Sequence, residues 1–237
     1  MERLMADHES STKPVAPPLP SASAILVRDN RDQLEVLLVQ RNAKIKFHGG
    51  AWVFPGGKVD QVDHEHSSEN DEIDIARVAA TREVEEEVGV AITPSSLFVF
   101  SHWLTPIQLP KRFSTWFFIG SVAANEQVSI DASEIVDHVW LTPKLALEKQ
   151  AADELTLPGP TFVTLLKLLG LPATSAIETF VESKGVEKFA PRVIENEHGR
   201  IALYHGDAGF ENVDLTADGP RHRLNMLKSG WHYEKQL

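Results

Sequence analysis

Four side chains stand close enough in sequence to do chemistry together: Arg82, Glu83, Glu86 and Glu87, in the run Arg82-Glu83-Val84-Glu85-Glu86-Glu87-Val88-Gly89-Val90. On a helix at about 100° per residue, Glu83, Glu86 and Glu87 fall within an arc of roughly 100°, while Glu85 points elsewhere. That arc overlaps the edge of an apolar stripe made by Ile73, Ala76, Ala80, Val84 and Val88. Three carboxylates gathered near a core repel one another unless a divalent cation sits among them. All-oxygen donors suit magnesium or manganese better than zinc. Taken alone, the three glutamates also fit an exposed acidic helix end, because Glu is a good helix former.

The elements that must position these groups follow from periodicity. Ala22–Val27 and Leu34–Gln40 read as two strands of a hairpin around a polar turn, 28–33. A glycine-ended basic loop, Arg41–Gly50, leads to a short strand, Trp52-Val53-Phe54, which Pro55-Gly56-Gly57 breaks. Residues 58–72 have no apolar period and read as a loop. Ile73–Val88 reads as a helix, with Asp71 or Asp74 as its cap and Gly89 as its stop. Strands are expected at 97–104, 113–122 and 135–141, helices at 143–150, 160–169 and 175–183, and short strands from 192 onward. The plan is α+β with mixed sheets, a flexible tail over 1–20 and a C-terminal extension over 172–237.

Composition bounds the function. The chain has 237 residues, 42% of them hydrophobic, no cysteine and a formal net charge of -11. Zero cysteine excludes disulfides, thiolate metal sites and a cysteine nucleophile. The acidic balance argues against general affinity for nucleic acid or anionic membranes. No apolar run is long enough to span a bilayer, and a cytoplasmic location is expected. The final Lys235-Gln236-Leu237 matches a peroxisomal Ser-Lys-Leu address only at its last position. His198, His205, His222 and His232 are too widely spaced for a metal signature.

Arg-Glu-apolar-any-Glu-Glu-any-Gly-apolar matches the second half of the Nudix box at every position, and Phe54-Pro55-Gly56-Gly57 resembles the turn that enters the box. The chain resembles a Nudix hydrolase over roughly residues 20–170, which implies the Nudix fold, a mixed β-sheet sandwiched between helices. One departure stands out. Arg82 lies 25 positions after Gly57 instead of 14, so 11 residues are inserted. The first box glutamate becomes Asp74 when counted back from Arg82, or Asp63 when counted forward from Gly57. The insert, with His64, Glu65 and His66, reads as a solvated loop or a substrate loop.

The resemblance implies hydrolysis of a diphosphate in a nucleoside diphosphate derivative, with Mg2+ (or Mn2+) as cofactor. By the same resemblance Glu86 and Glu87 ligate metal, Glu83 ligates metal or acts as base, the Gly56 carbonyl completes the shell, and Arg82 orients the carboxylates. Glu134 is the candidate for the further acidic residue that many members supply, with Asp131 and Asp137 as rivals. Leu37-Leu38-Val39-Gln40-Arg41-Asn42, then Lys46, Gly50 and the Phe54 turn, keep the spacing of the coenzyme A diphosphatase subgroup, with Val39, Asn42 and Lys46 in place of threonine, a small residue and arginine. Trp103-Leu104-Thr105-Pro106, Arg112-Phe113 and Trp140-Leu141-Thr142-Pro143 are similar to members of that subgroup carrying an insert in the box.

Arg41, Lys46 and Arg112 are therefore the expected phosphate contacts, with Lys44 and Lys111 as further cations. Trp52, Trp103 and Trp116 are expected to build core rather than stack a base. The expected partner is a small nucleotide diphosphate, with coenzyme A or acyl-coenzyme A first. ADP-ribose, dinucleotides and nucleoside triphosphates are the alternatives, and a non-catalytic binding regulator is a third. A homodimer is the symmetric default.

Overall fold

The structure is a computed structural model that describes residues 16–69, 71–130 and 132–236. Most of the tail expected over 1–20 lies outside the described residues, as do Asp131 and Leu237. The chain is already in strand by Leu19, so the tail ends earlier than its proline content suggests.

Strands β1 (Leu19–Asn30) and β2 (Gln33–Arg41) form the expected hairpin, with Val27 opposite Val36 and Asn30 opposite Gln33. The polar stretch 28–33 is not a six-residue turn. Only Arg31 and Asp32 turn, at φ 49° and 63°. Two adjacent left-handed residues match the right-handed twist of the strands, so pairing continues to the last possible residue. Further along, β1 leaves β2. Strands β3 (Trp52–Val53) and β4 (Gly56–Lys58) fill the wedge, β3 on β2 and β4 on β1.

The main sheet is completed by β5 (Phe98–Leu104), β6 (Phe113–Ser121), β7 (Ile135–Leu141) and β8 (Glu187–Phe189). β7 lies on the outer side of β2, and β1, β6, β5 and β8 follow on the other side. β1–β6 and β5–β8 are parallel, so the sheet is mixed. β1 is buried on both faces over Ala24–Val27, which is why that stretch is a continuous apolar run rather than an alternation.

Helix α2 (Glu72–Val88) covers one face. Its Ala76, Ala79, Ala80, Val84 and Val88 pack on Ala22, Ala24, Leu26, Leu37, Val39 and Phe118. Asp71 caps it by accepting from the Ile73 and Asp74 amides at 2.8 and 3.1 Å, and Gly89 ends it at φ 66°. Before it, the stretch read as a loop holds a short helix, α1 (Gln61–His66). Polarity hid this helix, because Asp63 is its only buried residue.

The other face carries α3 (Pro143–Ala151), α4 (Gly159–Leu168) and α5 (Ile177–Lys184). A second, antiparallel sheet lies over the same core: β9 (Arg192–Asn196), β10 (Gly199–Leu203), β11 (Arg221–Leu227) and β12 (Gly230–Gln236). The hydrophobic cluster runs without a break from Ile25 and Phe117 to Tyr204 and Leu224. Trp103 of β5 stacks on Phe189 of β8 at 3.9 Å and meets Tyr204 edge-on at 5.9 Å. β8 itself was not visible in the sequence, since three residues are too few to show a period.

Candidate active site

Helix α2 presents its carboxylates in order of depth. Glu87 is buried, the Glu83 side chain is 15% exposed and that of Glu86 is 58% exposed. This is the arc expected at the edge of the apolar stripe. Arg82 joins them. Its Nη1 donates to Glu83 Oε1 and to Glu86 Oε2, each at 3.0 Å. Its Nε and Nη2 close on Asp63 Oδ1 and Oδ2, each at 2.9 Å, and Nη2 also donates to Lys58 O at 3.0 Å. The guanidinium is held cationic, first by the Asp63 hydrogen bonds and then by the Glu83 charge.

The structure thereby chooses between the two counterparts of the first box glutamate. Asp63, 1% exposed, faces Arg82. Asp74 instead accepts from Ser67 Oγ at 2.6 Å and from the Ser68 and Glu69 amides at 2.9 and 3.2 Å. It organises the inserted loop, and these hydrogen bonds hold its carboxyl below the usual range. The insert thus follows Asp63 and is folded as the rest of α1, a loop and the first turns of α2. Counting from Gly57 was the signal that pointed to Asp63.

The two glycines of the turn are required by close approach. A Cβ on Gly56 would lie 2.3 Å from Ala22 O, and one on Gly57 would lie 2.3 Å from Glu83 Oε1. Gly56 N–H donates to Glu87 Oε2 at 2.8 Å. Burial pushes Glu87 up to about 8; the Gly56 amide and Arg41 oppose this, while Glu83 and Glu134 add to it. Glu83 is also raised, first by burial. Burial thus raises two carboxyls on one helix face, although Arg82 and Arg41 oppose the shifts.

Strand β2 brings Arg41 to the same place. Its Nη1 is 4.0 Å from Glu87 Oε1, and its Nη2 is 3.6 Å from Glu134 Oε2. Arg41 Nε is buried without a hydrogen-bond partner. Glu134 reaches the site because its segment docks on β2: Asn42 N–H donates to Glu134 O at 2.7 Å, and Asn42 Nδ2 to Ser133 O at 3.0 Å. Asp137 lies opposite Gln40, two residues beyond Ile135, which faces Arg41.

The remaining predicted cations are not drawn in. Lys46 is exposed on the 42–50 loop. Arg112 donates to Thr105 O at 3.3 Å and to Ala16 O at 3.2 Å, so it braces the β5–β6 loop. Lys111 Nζ lies over the Phe113 ring at 5.2 Å. Trp103 and Trp116 are core residues, their indole N–H groups bonded to Ser101 Oγ and Glu72 Oε1. Trp52 packs against the core from the edge.

Among the described residues, no three acidic or imidazole side chains stand in the geometry of an ion site. Glu83 and Glu86 share Arg82 Nη1 instead. The chemistry of the donors still fits a hard divalent cation: all are oxygens on one helix face, and Glu87 is buried with a pKa raised to about 8. Glu83, Glu86 and Glu87, with Gly56 beside them, are the residues that would hold it.

The NUDIX domain signature matches residues 17–158. Acyl-coenzyme A diphosphatase NUDT19 of Xenopus laevis is 31% identical over 127 residues, 50% of this chain and 33% of its own. Putative nudix hydrolase 7 of Caenorhabditis elegans is 26% identical over 168 residues, 56% of this chain and 55% of its own. The chain thus spans about a third to a half of the length of these relatives. The crystal structure of a NUDIX hydrolase from Alicyclobacillus acidocaldarius superposes with a TM-score of 0.62 at 21% identity, covering 70% of this chain and 97% of that one. The NUDIX domain of Shewanella oneidensis NrtR, complexed with ADP ribose, gives 0.50 at 17% identity over 68% and 96%. At such identities the structures speak for the fold alone. The family signature runs over more than half of the chain, through the glycine turn, Arg82 and its glutamates, and the protein belongs to the NUDIX family.

Proposed function

We propose that this NUDIX protein is a metal-dependent pyrophosphohydrolase acting on the diphosphate of coenzyme A or acyl-coenzyme A. The observation that carries this reading is the array at one turn: Arg82 gripping Asp63, Glu83 and Glu86 while Glu87 accepts from Gly56. A binding module has no need of three carboxylates and a half-buried guanidinium clamp on one helix face. Glu83, Glu86, Glu87 and the Gly56 carbonyl would hold Mg2+ (or Mn2+). When bound, the ion neutralises phosphate oxygens and lowers the pKa of water.

The other roles belong to the chain's own groups. Arg82 orients the glutamates through charge-assisted hydrogen bonds. Glu83 or Glu134 takes the proton of the attacking water. Arg41, beside Glu87 and Glu134, meets the phosphates, and Arg112 keeps the β5–β6 loop in place. Water adds to one phosphorus and the bridging P–O bond breaks. Coenzyme A then yields adenosine 3′,5′-bisphosphate and 4′-phosphopantetheine, with the acyl group retained if present.

The spacing Arg41, Lys46, Gly50, Phe54 and the likeness to an acyl-coenzyme A diphosphatase support this substrate class. The test is a substrate panel with Mg2+ and product identification by mass. Cleavage of ADP-ribose or a dinucleotide with coenzyme A untouched would overturn the substrate. No turnover on any member of the panel would overturn the catalytic reading.

A further inference from the structure

The loop between β5 and β6 is closed at its base. Thr105 N–H donates to Phe113 O, and Phe113 N–H donates to Thr105 Oγ1, both at 2.9 Å. Residues 106–112 therefore project past the end of the sheet. The projection exposes Ile107 and Leu109, at 55% and 44%, between Pro106 and Pro110. Leu19, opposite Phe113 in the β1–β6 register, is 41% exposed. One exposed aliphatic side chain is ordinary, but three around one strand end make a patch.

This patch is joined to the catalytic turn from two sides. The loop that leaves Arg41 reaches across to it, with the Phe47 ring 5.0 Å from that of Phe113. On the other side, Ser21 of β1 pairs with Lys58, whose carbonyl accepts from Arg82, and with Thr115, two residues beyond Phe113. Lys44 and Lys46 are exposed on the first of these paths. A ligand matching the whole surface has phosphates at the carboxylate end and an extended apolar group at the other.

We propose that Leu19, Phe47, Ile107, Leu109 and Phe113 form the seat for the acyl chain of an acyl-coenzyme A substrate. This inference rests on the diphosphatase reading of the adjoining turn and adds to it the part of the substrate that the protein selects. The aliphatic groups that would meet the chain are exposed to water without it, so burying them favours longer chains.

The test uses the full chain with Mg2+ and compares free, acetyl-, hexanoyl- and octanoyl-coenzyme A. For the wild type, kcat/KM rises with chain length. In a double variant, Ile107→Ser with Leu109→Ser, the octanoyl-to-free ratio of kcat/KM falls about tenfold. Both positions are exposed, so the fold is retained, which circular dichroism checks. An unchanged ratio, or an equal loss on every substrate, overturns the seat. A wild type that cleaves free coenzyme A with no dependence on chain length overturns the seat alone. A wild type that cleaves none of the four overturns the diphosphatase reading, and the seat with it.

Discussion

Arg82 closes on Asp63 through two parallel hydrogen bonds of 2.9 Å, across an insertion that separates the two residues by 19 positions. Asp63 is bonded a second time, accepting from the Asp60 amide at 2.8 Å at the start of α1. The aspartate thus fixes the helix start and the guanidinium at once, leaving Nη1 of Arg82 for Glu83 and Glu86.

Asp63→Asn leaves a donor facing Arg82. It should lower kcat/KM by about 10–100-fold, chiefly through kcat, because the glutamates lose their orienting partner. Arg82 keeps Glu83, Glu86 and Lys58 O, so the loss of stability should be near 2 kcal/mol, less than for a charge left wholly unpaired. Steady-state kinetics and urea unfolding measure the two effects separately.

Glu86→Gln and Glu87→Gln should each lower turnover by at least about 100-fold while the chain stays folded. Circular dichroism and the substrate panel check this. Turnover retained in both variants would overturn their proposed role in holding metal.

Glu87 also predicts a pH effect on the metal-free protein. Its folded pKa is raised to about 8, so the neutral acid is favoured in the fold. This group contributes no penalty below its unfolded pKa, and a growing one as pH rises toward 8. Histidines depressed by burial, such as His222, act in the opposite direction near neutrality. The measurement is therefore a difference. Between pH 5 and 8 in EDTA, wild type should lose stability relative to Glu87→Gln, on the order of a few kcal/mol. Excess Mg2+ should remove most of that difference, and a flat difference without metal would contradict the assignment.

The two glycines should fail in different ways. Gly57→Ala points its methyl at the Glu83 carboxylate, a side-chain end that can move. Activity should fall about 100-fold with little change in melting temperature. Gly56→Ala meets the backbone of Ala22 and Ser23, which cannot give way. It should cost roughly 3 kcal/mol or more of stability. Paired melting and activity measurements separate the outcomes.

In the C-terminal sheet, Arg223 binds Asp207 at 2.7 and 2.6 Å. Burial raises the Asp207 carboxyl, but the Arg223 hydrogen bonds and the His222 and Gly209 amides outweigh it and hold it at about 2. Its stabilisation is present above the unfolded carboxylate pKa and lost as pH falls toward 2. Asp207→Ala leaves the guanidinium buried and unpaired, and should cost about 3–5 kcal/mol. Equilibrium unfolding at pH 7 and pH 3 checks both the size and the sign.

The amino-acid sequence by itself determined what is local. The helical arc of Glu83, Glu86 and Glu87, a cap at Asp71 or Asp74, the stop at Gly89, the breaker at Pro55-Gly56-Gly57 and most strands follow from spacing and side-chain chemistry within one element. Tertiary structure decided what depends on distant partners. Asp63 rather than Asp74 faces Arg82 because α1 turns one carboxylate inward while the inserted loop uses the other. Arg41 and Glu134 meet because Asn42 bonds to the 133–134 segment, whereas Arg112, with the same charge as Arg41, is spent on backbone carbonyls. The unbroken cluster from Ile25 to Leu224, and the tie of β8 to β5, needed pairing across more than 80 residues. No periodicity encodes such pairing; it is set by which apolar faces remain uncovered once the first sheet has formed.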